Sequence, residues 1–120
     1  MTLELDKRQE ALLRLPEPLA FVPRLAAEIR RDMPAMVHLL SEQRLLEETE
    51  RSYAYASYTL GITSLPILVH WTKTDVASGG ELHRNVDIDL AMRRSETPNL
   101  KAADLLGALR ALHRWPKGHR

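Results

Sequence analysis

The sequence predicts an α+β domain: a small, mostly antiparallel sheet packed against helices and closed by a C-terminal helix. Three observations predict it. Across residues 84–93, apolar Val86, Ile88, Leu90 and Met92 alternate with Asp87, Asp89, Ala91 and Arg93, the period of a strand with one dry face and one wet face. Ile67-Leu-Val-His-Trp-Thr72 follows a Leu-Pro pair and is rich in β-branched and aromatic residues, which favour strands. Thr97-Pro98-Asn99 then opens a segment in which Leu105, Leu109 and Leu112 recur at helical spacing.

The 120 residues suit one domain, with a helical half over 1–50, a strand-rich part over 52–93 and a helix over 98–115. Residues 3–15 carry Leu5, Leu12, Leu13 and Leu15 among charges and read as a short amphipathic helix, which Pro16 and Pro18 interrupt. A second helix runs from near Pro18 to Arg31, with Leu25 and Ile29 on one face. Pro23 places its start nearer Val22, because proline fits the first turn. Asp32 and Pro34 make a cap-like pair before residues 35–51. There the run 35–40 fits either a helix or a short buried strand, and the helix formers at 42–50 favour helix. Residues 52–60, with three tyrosines, alternate like a strand until Gly61. Residues 76–82 hold Gly79 and Gly80 and read as the loop of a hairpin. Either Thr97 or Asn99 caps the last helix, and Pro116 ends it. The expected core is Leu25, Ile29, Leu39, Leu40, Ile67, Val69, Val86, Ile88, Leu90, Leu105, Leu109 and Leu112.

Composition excludes several kinds of chemistry. No cysteine is present, so disulfides and thiolate chemistry are out. A net charge of +1 gives no overall basic field for nucleic acid, and the basic end (Arg110, Arg114, Lys117, Arg120) suits a helix C-terminus. No apolar run approaches the roughly 20 residues of a membrane span. Residues 1–10 are charged and lack the apolar stretch of a signal peptide, so a soluble cytoplasmic protein is expected. The five histidines (38, 70, 83, 113 and 119) lack ligand spacing. The serines lack a Gly-x-Ser-x-Gly setting, and Gly79-Gly80 leads to Glu81 instead of a Lys-Ser or Lys-Thr pair. No catalytic residue, cofactor or small-molecule substrate is predicted. Tyr53, Tyr55, Tyr58 and Trp71 are the candidate interface residues, since tyrosine and tryptophan are enriched where proteins meet.

Asp87-Ile88-Asp89 is the one metal-like pattern, because two carboxylates at i and i+2 of a strand share a face. Asn85-Val-Asp-Ile-Asp-Leu-Ala91 resembles the acidic strand of the minimal nucleotidyltransferases. That resemblance implies Asp87 and Asp89 as remnants of a metal site, since the upstream Gly-Ser turn and a third carboxylate are missing. The order of elements over 65–113, a Pro-led strand, a second strand and an Ala/Leu helix, resembles the tail-terminator and tail-completion proteins of tailed bacteriophages. It implies a non-enzymatic, virion-assembly role as an oligomeric ring, with further copies and other structural proteins as partners. The net reading is an assembly protein. The alternatives are a degenerate nucleotidyltransferase-like domain and a small regulator that binds a partner through its tyrosines.

Overall fold

Asn85 decides the character of the second half of the chain. Its side chain accepts a hydrogen bond from the Ile88 amide at 3.0 Å, an N-cap that launches a helix instead of a strand. Asp87 and Asp89 fill the first turn of that helix and Arg93 and Arg94 its last, each charge complementing the helix dipole. The computed structural model of the protein describes residues 15–113. It corrects the α+β expectation: among the described residues there is no strand, and the fold is all-α. The helices are α1 (Pro18–Asp32), α2 (Pro34–Val37), α3 (Glu42–Ala54) running into a π-turn (Tyr55–Thr59), α4 (Leu65–Ala77), α5 (Glu81–Arg84), α6 (Val86–Arg94) and α7 (Pro98–His113).

The alternation that suggested a strand over 84–93 has a helical explanation. Its four apolar residues form two i, i+4 pairs on opposite sides of α6, since each residue advances about 100°. Met92 is buried and Ile88 packs against the core, whereas Val86 is 68% exposed and Leu90 43%. The other expected strands yield for similar reasons. Pro66 lies in the first turn of α4, where its missing N–H costs nothing. Leu68, Trp71, Thr72, Asp75 and Val76 are all buried, because α4 is the central helix and packs against α1, α2, α3, the π-turn, α5 and α7. A helix surrounded on all sides needs no amphipathic stripe, so its apolar run mimics a buried strand. Around the tyrosines, Ser52, Tyr53, Ala56, Ser57 and Leu60 are the buried residues, a helical face written in a locally alternating sequence. Gly61, at φ 83°, ends that helix in the left-handed region that suits glycine.

The first half follows its pattern more closely. Val22, Leu25, Ala26 and Ile29 form the buried face of α1. Its start is Pro18, however, and Pro23 lies inside the helix. Pro23 is exposed, so its ring and the hydrogen bond it forfeits fall on the solvent side. Arg30 donates to the carbonyls of Val37 (2.8 Å) and Leu40 (2.6 Å), satisfying the end of α2. Lys73 of α4 donates to Glu28 at 2.7 Å and Asp32 at 3.1 Å, which ties the central helix to α1. At the other end, Asn99 of α7 accepts from the Thr63 and Ser64 amides at 2.9 and 3.0 Å and donates to Thr63 Oγ1 at 3.0 Å. The N-cap position thus falls on Thr97, whose carbonyl accepts the first helical bond, from Lys101 N.

Several core assignments change with the periodicity. Leu25 and Ile29 are buried, but Leu39 is 87% exposed and Val37 takes its place. Val86 and Leu90 lie outside the core, and Leu68 and Trp71 lie deeper than Ile67 and Val69, which pack at its edge with Leu40, Ile88, Leu105 and Leu109. Among the described side chains of α7, Ala102 and Leu106 are the buried ones. The Leu112 side chain, nearly all of the helix expected over 3–15 and the basic end beyond Arg110 (Arg114, Lys117 and Arg120) fall outside the described residues.

Asp32 makes acid stability testable. The hydrogen bond from Arg31, and then that from Lys73, hold its carboxyl down at about 2. Its ordinary value is 3.8, so the stabilisation is complete above that pH and is lost as pH falls toward 2. The site is exposed and solvent-screened, which keeps the effect small. Asp32→Asn should flatten the fall of the urea midpoint between pH 4 and pH 2; an unaltered slope would contradict this.

Candidate functional site

Polar side chains converge where α3, the π-turn, α4, α5 and α6 meet. The local sequence explains the convergence. Gly80 stands at the N-cap of α5 and has no side chain to satisfy the first amides of that helix. Asp75, at the end of α4, supplies the acceptor. Its Oδ1 takes the Leu82 amide at 2.9 Å and the His83 amide at 3.2 Å. Its Oδ2 takes Ser52 Oγ and His83 Nδ1, both at 2.8 Å. The carboxylate can only accept, so His83 carries its proton on Nδ1. The reversal between α4 and α5 needs Gly79 and Gly80 at φ 75° and 91°. A Cβ on Gly80 would also sit 2.8 Å from His83 Cε1, so the ring packs directly on that backbone.

Ser, Asp and His together invite comparison with a nucleophilic triad, and the order of contacts answers it. In a triad the hydroxyl bonds to the imidazole, which the acid orients. Here the carboxylate sits between the other two and spends four acceptor positions on its own chain. The Ser52 proton is committed to Asp75, and Ser52 and Asp75 are both buried. The arrangement closes the α4–α5 corner onto α3.

A second cluster joins the π-turn to α6. Tyr55 donates through its hydroxyl to Asp89 Oδ1. Arg93 donates to Asp89 Oδ2 at 2.8 Å and to Tyr55 Oη at 2.9 Å. Burial, reinforced by Asp89, pushes the Tyr55 phenol up, so the hydroxyl keeps its proton. Burial also acts to raise the Asp89 carboxyl, but the hydrogen bonds from Tyr55 and Arg93 outweigh it and the net shift is downward. The Tyr55 ring lies 6.3 Å from that of His83, so the two clusters are neighbours. An open groove of about 410 Å³ runs alongside, lined by residues including Thr74, Glu81, Arg84, Asn85, Ile88 and Leu109.

The candidates from the sequence separate in space. Asp87 and Asp89 were paired on the premise of a strand. On α6 they point about 200° apart, Asp89 into the tyrosine cluster and Asp87 to solvent. Among the described residues no group of three or more His, Asp or Glu side chains is placed to hold a metal ion. The four aromatic residues divide as well. Tyr53 and Trp71 are 1% exposed, Tyr55 is half-buried, and Tyr58 is 58% exposed. Ser52, Asp75 and His83 were missed. The signal available was an acid closing one helix, a Gly-Gly reversal, and a next helix without a capping side chain.

A further feature is the outer face of α6. Val86 and Leu90 lie one turn apart there, with Asp87 and Arg94 along one flank. Neither Asp87 nor Arg94 has a side-chain hydrogen bond or ion pair among the described residues.

No protein-family profile, curated protein or solved structure matches this chain.

Proposed function

We propose that the protein is a non-enzymatic assembly or interaction domain that works through protein–protein contacts made by the outer face of α6. The observation that carries this reading is the exposure of Val86 and Leu90, at 68% and 43%, on a short helix whose opposite side packs on the core through Ile88 and Met92 and whose flank is tied to Tyr55 through Asp89. Apolar side chains presented on a braced helix are the usual anchors of helix-mediated recognition. The polar groups next to them speak for the same reading, since Asp75, Ser52 and Asp89 are engaged by their own chain and Tyr55 holds its proton. The elements that suggested bacteriophage tail proteins are helices, so the proposal rests on this surface and not on that likeness. Among the described residues no helix is long and apolar enough to cross a membrane.

A photo-reactive amino acid at position 90, expressed in cells and irradiated, should give discrete cross-linked species. The same probe at Glu50, exposed on α3, should give none. Equal labelling from both positions, or none from position 90, would remove the proposal. Val86→Ser with Leu90→Ser should leave stability within about 0.5 kcal/mol, as for exposed positions generally.

A further inference from the structure

The pattern of charge on α6 names an occupant for its apolar face. Taking Val86 as the origin and about 100° per residue, Leu90 lies near 40°, Arg94 near 80° and Asp87 near 100°. One edge of the apolar strip therefore carries an acid at its N-terminal end and a base at its C-terminal end, seven positions apart. When two helices pack antiparallel about a two-fold axis, the same edge of each meets the other with its direction reversed. An axis passing near Leu90 sets the Asp87 of one copy beside the Arg94 of the other, and generates that pair twice. It also brings Leu90 against Leu90 and lays the aliphatic stem of each Arg94 over the opposing Val86, a use to which arginine stems are suited. Parallel packing would instead set this edge against the opposite one, whose Asp89 and Arg93 are already bonded to each other and to Tyr55. The reversed arrangement further places the acidic first turn of each helix beside the basic last turn of its neighbour.

Resting on the α6 reading above, we infer that the partner is a second copy of this chain, docked isologously through α6 in antiparallel register with reciprocal Asp87–Arg94 pairs. Nine residues span only about 13.5 Å, so the contact is smaller than a standard stable interface. The dimer is accordingly weak: it forms at roughly 100 µM and dissociates near 1 µM, in the affinity range of small transient contacts. Added salt weakens it, because the charged edge is solvent-accessible.

Sedimentation of the purified full chain at both concentrations tests this, using Asp87→Arg and Arg94→Asp. Each variant alone opposes like charges twice and should stay monomeric at 100 µM, at least tenfold weaker in association than the parent. An equimolar mixture should dimerise again, because each mixed pair then opposes unlike charges at both sites. Melting curves of the separate variants establish that each is folded. If the parent stays monomeric at 100 µM, or the mixture associates no better than its components, the inference fails. The broader reading fails separately, by an absence of cross-links from position 90; cross-links from position 90 to other proteins alone, never to a second copy of this chain, would leave the interaction proposal standing and remove the self-pairing one.

Discussion

Replacing Asp75 by Ala should destabilise the protein by about 3 kcal/mol or more, the loss associated with breaking a buried, charge-assisted hydrogen-bond network. For a chain of 120 residues that corresponds to a fall in melting temperature of roughly 10–20 °C. The size follows from what is orphaned. Asp75 is 1% exposed and accepts from Ser52, His83 and two amides. Alanine leaves the buried Ser52 hydroxyl and Leu82 amide with no acceptor and opens a void at the α4–α5 corner. Asp75→Asn separates shape from charge. One amide oxygen can still serve the two backbone donors, while the NH2 group meets a serine and an imidazole, each able to accept after reorientation. Asn should therefore recover part of the loss. Urea unfolding of the two variants measures this, and an alanine cost below 0.5 kcal/mol would show that the carboxylate is no clasp.

Trp71→Ala should cost about 3–5 kcal/mol, the range for large aromatic truncations in well-packed cores. Trp71 is 1% exposed, and it sits on the helix that packs against most of the other described helices. Removing the indole leaves several elements facing one cavity, and no single neighbour can collapse into it. Phe at the same position keeps much of the contact area and should cost distinctly less. Equilibrium denaturation discriminates these outcomes, and a cost under about 1 kcal/mol for Ala would place Trp71 outside the main core.

The N-terminal half of the fold was legible because α1 obeys a simple amphipathic rule, with Val22, Leu25, Ala26 and Ile29 on one side. The last helix was legible from Thr97, Pro98 and its leucines. The middle was misread for two distinct physical reasons. On α4 burial on all sides erases periodicity, so Ile67 to Thr72 carries no phase information. On α6 the helix has two apolar pairs on opposite sides, and two such pairs spaced by two residues reproduce the alternation of a strand. The discriminating marks were at the ends: Asn85 before Val86, acids in the first turn and arginines in the last. The Ser52–Asp75–His83 site could not be anticipated from spacing, because Ser52 lies 23 residues from Asp75 and no expected element brought it to the 76–82 loop, at whose ends Asp75 and His83 stand.

The saturated carboxylate at position 75 has a consequence for genetics. It fixes the corner that orients α5, from which α6 continues, so the bearing of Leu90 depends on a group buried away from the surface. On the proposed contact through α6, a screen scoring lost association in living cells would recover lesions at Asp75 and at Leu90 with the same phenotype. Heat would tell them apart: the first class would melt early, and the second would hold its shape with nothing to grip.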